Sequence, residues 1–196
     1  MSSFLEELKR SELYSEELHI DLSNKSDKEL FKWFLASVLY GNRISEEIAK
    51  STYLTLENHE LLTPQKILKA GWDYLVNPIM REGGYVRYDG KTSTQLLKNS
   101  QQLIDEYQGS LNQLHQEAKD NNDLEKRIDS FYGVGPVTTN IFLRELRPIW
   151  SKCDPDPMPT VIKLAKQKKI DLKKFDRKSI TFVRIEAGLI RLRHQK

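Results

Sequence analysis

Two short stretches of this chain carry residue types whose spacing could do chemistry. The first is Gly133-Val134-Gly135-Pro136-Val137-Thr138-Thr139. Two glycines flanking one apolar residue allow a tight turn between helices, with the valine plugging the gap and the N–H groups of the next helix start left pointing outward. Such N–H groups form a phosphate cradle. A plain interhelix turn uses the same glycines, but the small residues Thr138 and Thr139 and the amphipathic run after them favour the cradle. The second stretch is Cys153-Asp154-Pro155-Asp156-Pro157-Met158-Pro159-Thr160-Val161. A carboxylate there can stabilise developing positive charge or orient a water, and the same aspartates can equally serve as turn or N-cap residues in a proline-rich connection.

Composition narrows the chemistry. Cys153 is the single cysteine, so an intrachain disulfide, a structural zinc site and a four-thiolate iron-sulfur cluster are all excluded. The histidines, His19, His59, His115 and His194, form no ligand motif, and no transition-metal cofactor is expected. The formal net charge is only +3, but it is unevenly spread. Residues 1–123 hold 14 Lys and Arg against 20 Asp and Glu, whereas residues 124–196 hold 17 against 8, so the two parts differ as −6 and +9. A basic C-terminal third suits either a polyanion partner or a solvated surface. With 196 residues, periodic apolar positions and no apolar stretch longer than Trp33 to Tyr40, the chain reads as a soluble, cytoplasmic, monomeric globular protein without a membrane segment.

The elements that must position these residues read as helices throughout. Ser26-Asp27-Lys28-Glu29 is a capping box ahead of a stripe of Leu30, Phe31, Phe34, Leu35, Val38 and Leu39, stopped by Gly41 and Asn42. Ser45 caps a second helix, and Thr63-Pro64 opens a third carrying Ile67, Leu68 and Trp72. Gly83-Gly84 is a break, Lys91 to Tyr107 a long helix, and Ser110 and Asp123 are caps for two shorter ones. Leu124 to Ser130 and Pro136 to Leu146 then flank the glycine turn. Trp33, Phe34 and Trp72 fall on apolar stripes, and Tyr40, Tyr85, Tyr88 and Tyr132 lie near breaks, where they could line a pocket. The final helix, Ile180 to Arg193, presents a basic outer face.

At the hairpin, Phe131-Tyr132-Gly133-Val134-Gly135-Pro136-Val137-Thr138-Thr139, the chain resembles the helix-hairpin-helix DNA glycosylases, the superfamily that includes endonuclease III. Phe34 to Lys50 and Ile79 to Leu97 are similar to other helix-turn-helix stretches of that family. The resemblance implies an all-α, two-domain fold. One domain would span residues 25–123, and the second would join residues 1–24 to 124–196, with the hairpin motif at about 124–147. It also implies a partner, double-stranded DNA containing a damaged or mismatched base, and a reaction, hydrolysis of the N-glycosidic bond in base-excision repair. The alternative is a hairpin DNA-binding protein without glycosylase activity.

The resemblance assigns DNA contacts to Gly133, Val134, Gly135, Val137 and Thr138, with Lys126 and Arg127 beside them. It also implies a monovalent cation, K+ or Na+, on the backbone carbonyls of Gly133 and Gly135. Asn42 occupies the turn where many family members carry a glutamine that fills the space of the extruded base, although an asparagine there can also be a helix C-cap. Where bifunctional members carry a nucleophilic lysine this chain has Val137, which cannot form a Schiff base, so a monofunctional enzyme is expected. Counting forward from Val137 gives Asp156 as the catalytic aspartate, with Asp154 nearly as good. Counting back from Val161-Ile162-Lys163-Leu164-Ala165 puts Met158 at that position instead.

Overall fold

A computed structural model describes residues 3–192, with the side chain of Ser3 excepted; Arg193 and His194, the latter one of the four histidines, lie outside the described residues. The architecture is all-helical, with no strand among the described residues. In chain order the helices are α1 (Ser3–Leu8), α2 (Tyr14–Glu17), α3 (Asp27–Gly41), α4 (Glu46–Asn58), α5 (Pro64–Tyr74), α6 (Asp89–Tyr107), α7 (Leu111–Glu117), α8 (Asn121–Asp129), α9 (Pro136–Arg144), α10 (Pro159–Gln167) and α11 (Ile180–Leu192). None is long and apolar enough to cross a membrane.

Helix α3 is the axis of the larger core. Its N-terminus is set as expected, the Ser26 hydroxyl accepting the Glu29 N–H at 3.2 Å, and Leu30, Phe31, Trp33, Phe34, Leu35, Ala36, Val38 and Leu39 are all buried. A helix apolar on nearly every side must be surrounded, and here α4, α7 and α9 pack around it. Helix α9 is fixed by the Trp33 indole, which donates to the Phe142 carbonyl at 3.0 Å, and by Phe34 ringed by Phe131 at 5.1 Å and Phe142 at 5.4 Å. The larger core therefore runs straight across residues 123 and 124, taking in Leu124, Ile128, Phe131 and Val134 together with Phe34. A smaller core joins the two chain ends: Leu5 and Leu8 of α1, Val161 and Ala165 of α10, and Ile185 and Leu189 of α11.

Several local expectations are corrected. Asp120, not Asp123, is the N-cap of α8, accepting the Asp123 N–H at 2.9 Å, while the Asp123 carboxylate accepts the Lys119 N–H at 2.9 Å. The reciprocal pair starts the helix one turn early. Asn42 is extended (φ −81°, ψ 163°) and not the left-handed cap that asparagine permits. Trp72 is 46% exposed, because Gly71 takes φ +75° and breaks α5, swinging the indole outward to donate to the Gly90 carbonyl and Thr94 hydroxyl, both at 3.2 Å. Tyr85, expected near a pocket, is fully buried in the larger core.

Candidate functional site

The hairpin turn forms because each residue meets a local demand. Phe131 drops into the core, Gly133 takes φ +69°, which a β-carbon would strain, and Val134 is buried with its N–H on the Phe131 carbonyl at 3.0 Å. Gln95 of α6 lies under Gly133, 3.1 Å from where a Cβ would stand. Gly135 is the N-cap of α9 without a side-chain cap, and Pro136 occupies the first turn. The Gly135 carbonyl accepts the Thr139 N–H at 2.9 Å, while the N–H groups of Val137 and Thr138 belong to the turn that has no intrahelical acceptor.

The side chains around the turn divide sharply. Tyr132 and Val137 are 44% and 49% exposed, the Lys98 ammonium stands 4.0 Å from the centre of the Tyr132 ring, and Lys126 is exposed. Arg127 is not free: it bonds Asp123 at 3.1 Å and Glu117 at 3.3 Å. Thr138 is buried where α9 crosses the end of α3 at Gly41. The basic excess of the C-terminal third is partly spent in the same way, with Arg147 on Glu186, Arg184 on Glu16 and Arg191 on Glu17.

The two aspartates are structural clamps in this arrangement. Arg177 bonds Asp154 at 2.9 Å and Asp156 at 3.0 Å, and its remaining N–H groups donate to the carbonyls of Asp154 and Pro155. Buried Arg147, itself paired with Glu186 of α11, holds the same segment from inside, donating to the Pro155 carbonyl and lying 3.5 Å from the Asp154 carboxylate. The Asn140 side chain donates to the Asp156 carbonyl at 2.8 Å. The Asp156 side chain is 91% exposed and lines a shallow groove with Val137, Asn140 and Met158.

The neighbouring cavity of about 580 Å³ contains neither aspartate. Its walls are the α3–α4 turn (Asn42, Arg43, Glu46), one face of α9 (Val137, Ile141, Arg144), the start of α10 (Met158, Thr160), and Tyr14, Tyr40 and Ile190. Met158 is among the residues lining the cavity. Asn42 lines it too, its amide donating to the Val38 carbonyl at 3.1 Å and to Gln95 at 3.4 Å, which ties the cavity wall to the hairpin turn through one side chain. The Tyr14 hydroxyl donates to Glu46 at 3.0 Å, and burial pushes both Tyr14 and Tyr40 phenols well above their usual range, so they remain protonated donors.

Sequence reasoning did not single out Arg144, Glu46 or Gln95. A signal existed for the first: 137, 141 and 144 are spaced to share one helix face, and a guanidinium on the apolar side of a helix is unusual. Glu46 and Gln95 carry no such mark, because their roles depend on which helices meet. Among the described residues no cluster of three His, Cys, Asp or Glu side chains could hold a metal ion. The chain matches no family model, no curated protein and no solved structure.

Proposed function

We propose that this protein binds duplex DNA through the hairpin turn and takes a base rotated out of the duplex into the cavity, as a base-excision glycosylase does. The observation that carries this reading is the position of Val137, which stands in the amide-presenting first turn of α9 and also lines the cavity. A phosphate gripped at the hairpin would then bring its nucleotide to the cavity mouth. The resemblance to helix-hairpin-helix glycosylases supports the same docking edge. A monovalent cation fits the turn as well: the Gly135 carbonyl keeps a second lone pair beyond its bond to Thr139, and with Gly133 it could bridge the turn to the DNA phosphate. DNA affinity should then fall when potassium is replaced by a bulky organic cation at equal ionic strength.

Excision requires a carboxylate near the sugar C1' to balance the charge that builds as the base departs. Glu46 is the carboxylate that lines the cavity; Asp156 or Asp154 would reach it only after release from Arg177. With valine at position 137 the products should be a free base and an intact abasic strand, with no borohydride-trapped adduct. That both aspartates are held by Arg177 favours a second reading, lesion binding without excision. A panel of duplexes carrying single lesions separates them: base release supports the first, selective binding without release the second, and no duplex binding at low salt refutes both.

A further inference from the structure

Arg144 is buried in the cavity wall with 3% of its surface exposed. Its Nε is buried without an acceptor, and the face of the Tyr14 ring lies 5.0 Å from the guanidinium carbon. The nearby carboxylates Glu145 and Glu186 attract it through space but give their hydrogen bonds to other groups. Glu145 accepts the N–H groups of Tyr14 and Ser15 at 3.0 and 3.1 Å, and Glu186 is held by Arg147. A buried guanidinium N–H without an acceptor is costly, so its place in a cavity wall points to an acceptor supplied from outside. Tyr40, Ile141, Met158 and Ile190 on the same walls suit a flat neutral ring.

We propose that Arg144 sets the specificity of this cavity, selecting nucleobases that present a keto oxygen over those that present an exocyclic amine. The inference rests on the everted-base reading above. A guanidinium carries only donors, so it pairs with a ring carbonyl or an adjacent ring nitrogen, whereas an amine facing it sets donor against donor. Hypoxanthine and adenine, or uracil and cytosine, have nearly the same shape and differ on this edge.

The test measures affinity of the full chain for duplexes carrying hypoxanthine or adenine, and uracil or cytosine, opposite an abasic-site analogue that eases eversion. The wild-type protein should prefer the keto member of each pair by roughly 10-fold or more. Arg144→Met should bring the ratio close to one, with its fold checked by circular dichroism. Thr160→Trp, which fills the cavity from its rim and leaves the guanidinium in place, should also abolish the preference. Equal wild-type affinity for both members, or a preference that survives in folded Arg144→Met, would overturn the proposal. If the wild-type protein binds no duplex, the everted-base reading fails and calorimetry with free nucleosides decides the role of Arg144. Inosine bound over adenosine, with the difference lost in Arg144→Met, would support it. Equal binding, or displacement of inosine by inorganic phosphate, would overturn it.

Discussion

The crossing of α3 and α9 makes one glycine decisive for how the hairpin meets the cavity. In an ordinary helix Gly41→Ala would stabilise by about 0.5–1 kcal/mol through the lost backbone entropy of glycine. Here the new Cβ would overlap the Thr138 hydroxyl and stand 2.8 Å from Thr138 Cβ and 3.2 Å from its Cα. The last two are carbons of a buried helix start, which cannot swing aside as a flexible chain end can. Overpacking of this kind costs about 1–3 kcal/mol, so the sign should reverse and the variant should lose roughly that amount of stability. Urea unfolding of Gly41→Ala, Thr138→Gly and the double variant measures it. Removing the Thr138 side chain leaves only the 3.2 Å approach, so Gly41→Ala should cost at least ~1 kcal/mol less in that background. A stabilised Gly41→Ala, or the same cost in both backgrounds, would refute the close crossing.

Lys126→Glu should weaken duplex binding and lower the salt slope by about one counterion, whereas Lys28→Glu should change neither; equal effects would mean diffuse attraction. Arg127→Glu should act first on stability, because it removes the pairs to Asp123 and Glu117 and opposes like charges, as thermal unfolding without DNA would reveal. Asp156→Asn breaks an exposed pair and should shift stability by less than ~1 kcal/mol, so any larger loss in unfolding midpoint would contradict its surface position. Glu145 is fully buried, and that burial holds its carboxyl above the usual range despite Arg144 and the N–H bonds it accepts. Its native state binds the proton more tightly than the unfolded chain, so its contribution falls as pH rises from about 4.5 through the folded pKa. Stability of Glu145→Gln should decline less than wild type across that interval, and parallel profiles would refute this. Asp123 behaves oppositely: the Lys119 N–H and then Arg127 hold it below its usual range, so its contribution is lost as pH falls.

Much of the fold was legible residue by residue. Ser26, Ser45, Thr63 and Ser110 cap the helices they announce, and Gly133-Val134-Gly135 makes the turn its types demand, since caps and positive φ values are settled within four or five residues of chain. Trp72 on an apolar stripe misled because Gly71 ends the helical period on which the stripe was counted, and Asp123 misled because Asp120 three residues earlier caps α8 instead. The site was a different matter. Whether Asp156 faces a cavity or an arginine depends on where Arg177, twenty-one residues later, is carried by α10 and the chain beyond it. The Arg144 Nε is buried without an acceptor because the hydrogen bonds of Glu145 and Glu186 go to backbone N–H groups and to Arg147, which only the packing of both chain ends against α9 brings near. Local geometry follows from short-range sterics and hydrogen bonding, and those are written in neighbouring residues. The pairing of charges and the shape of a cavity follow from which helices meet, so the tertiary structure alone decided which carboxylate each arginine holds and which side chains line the cavity.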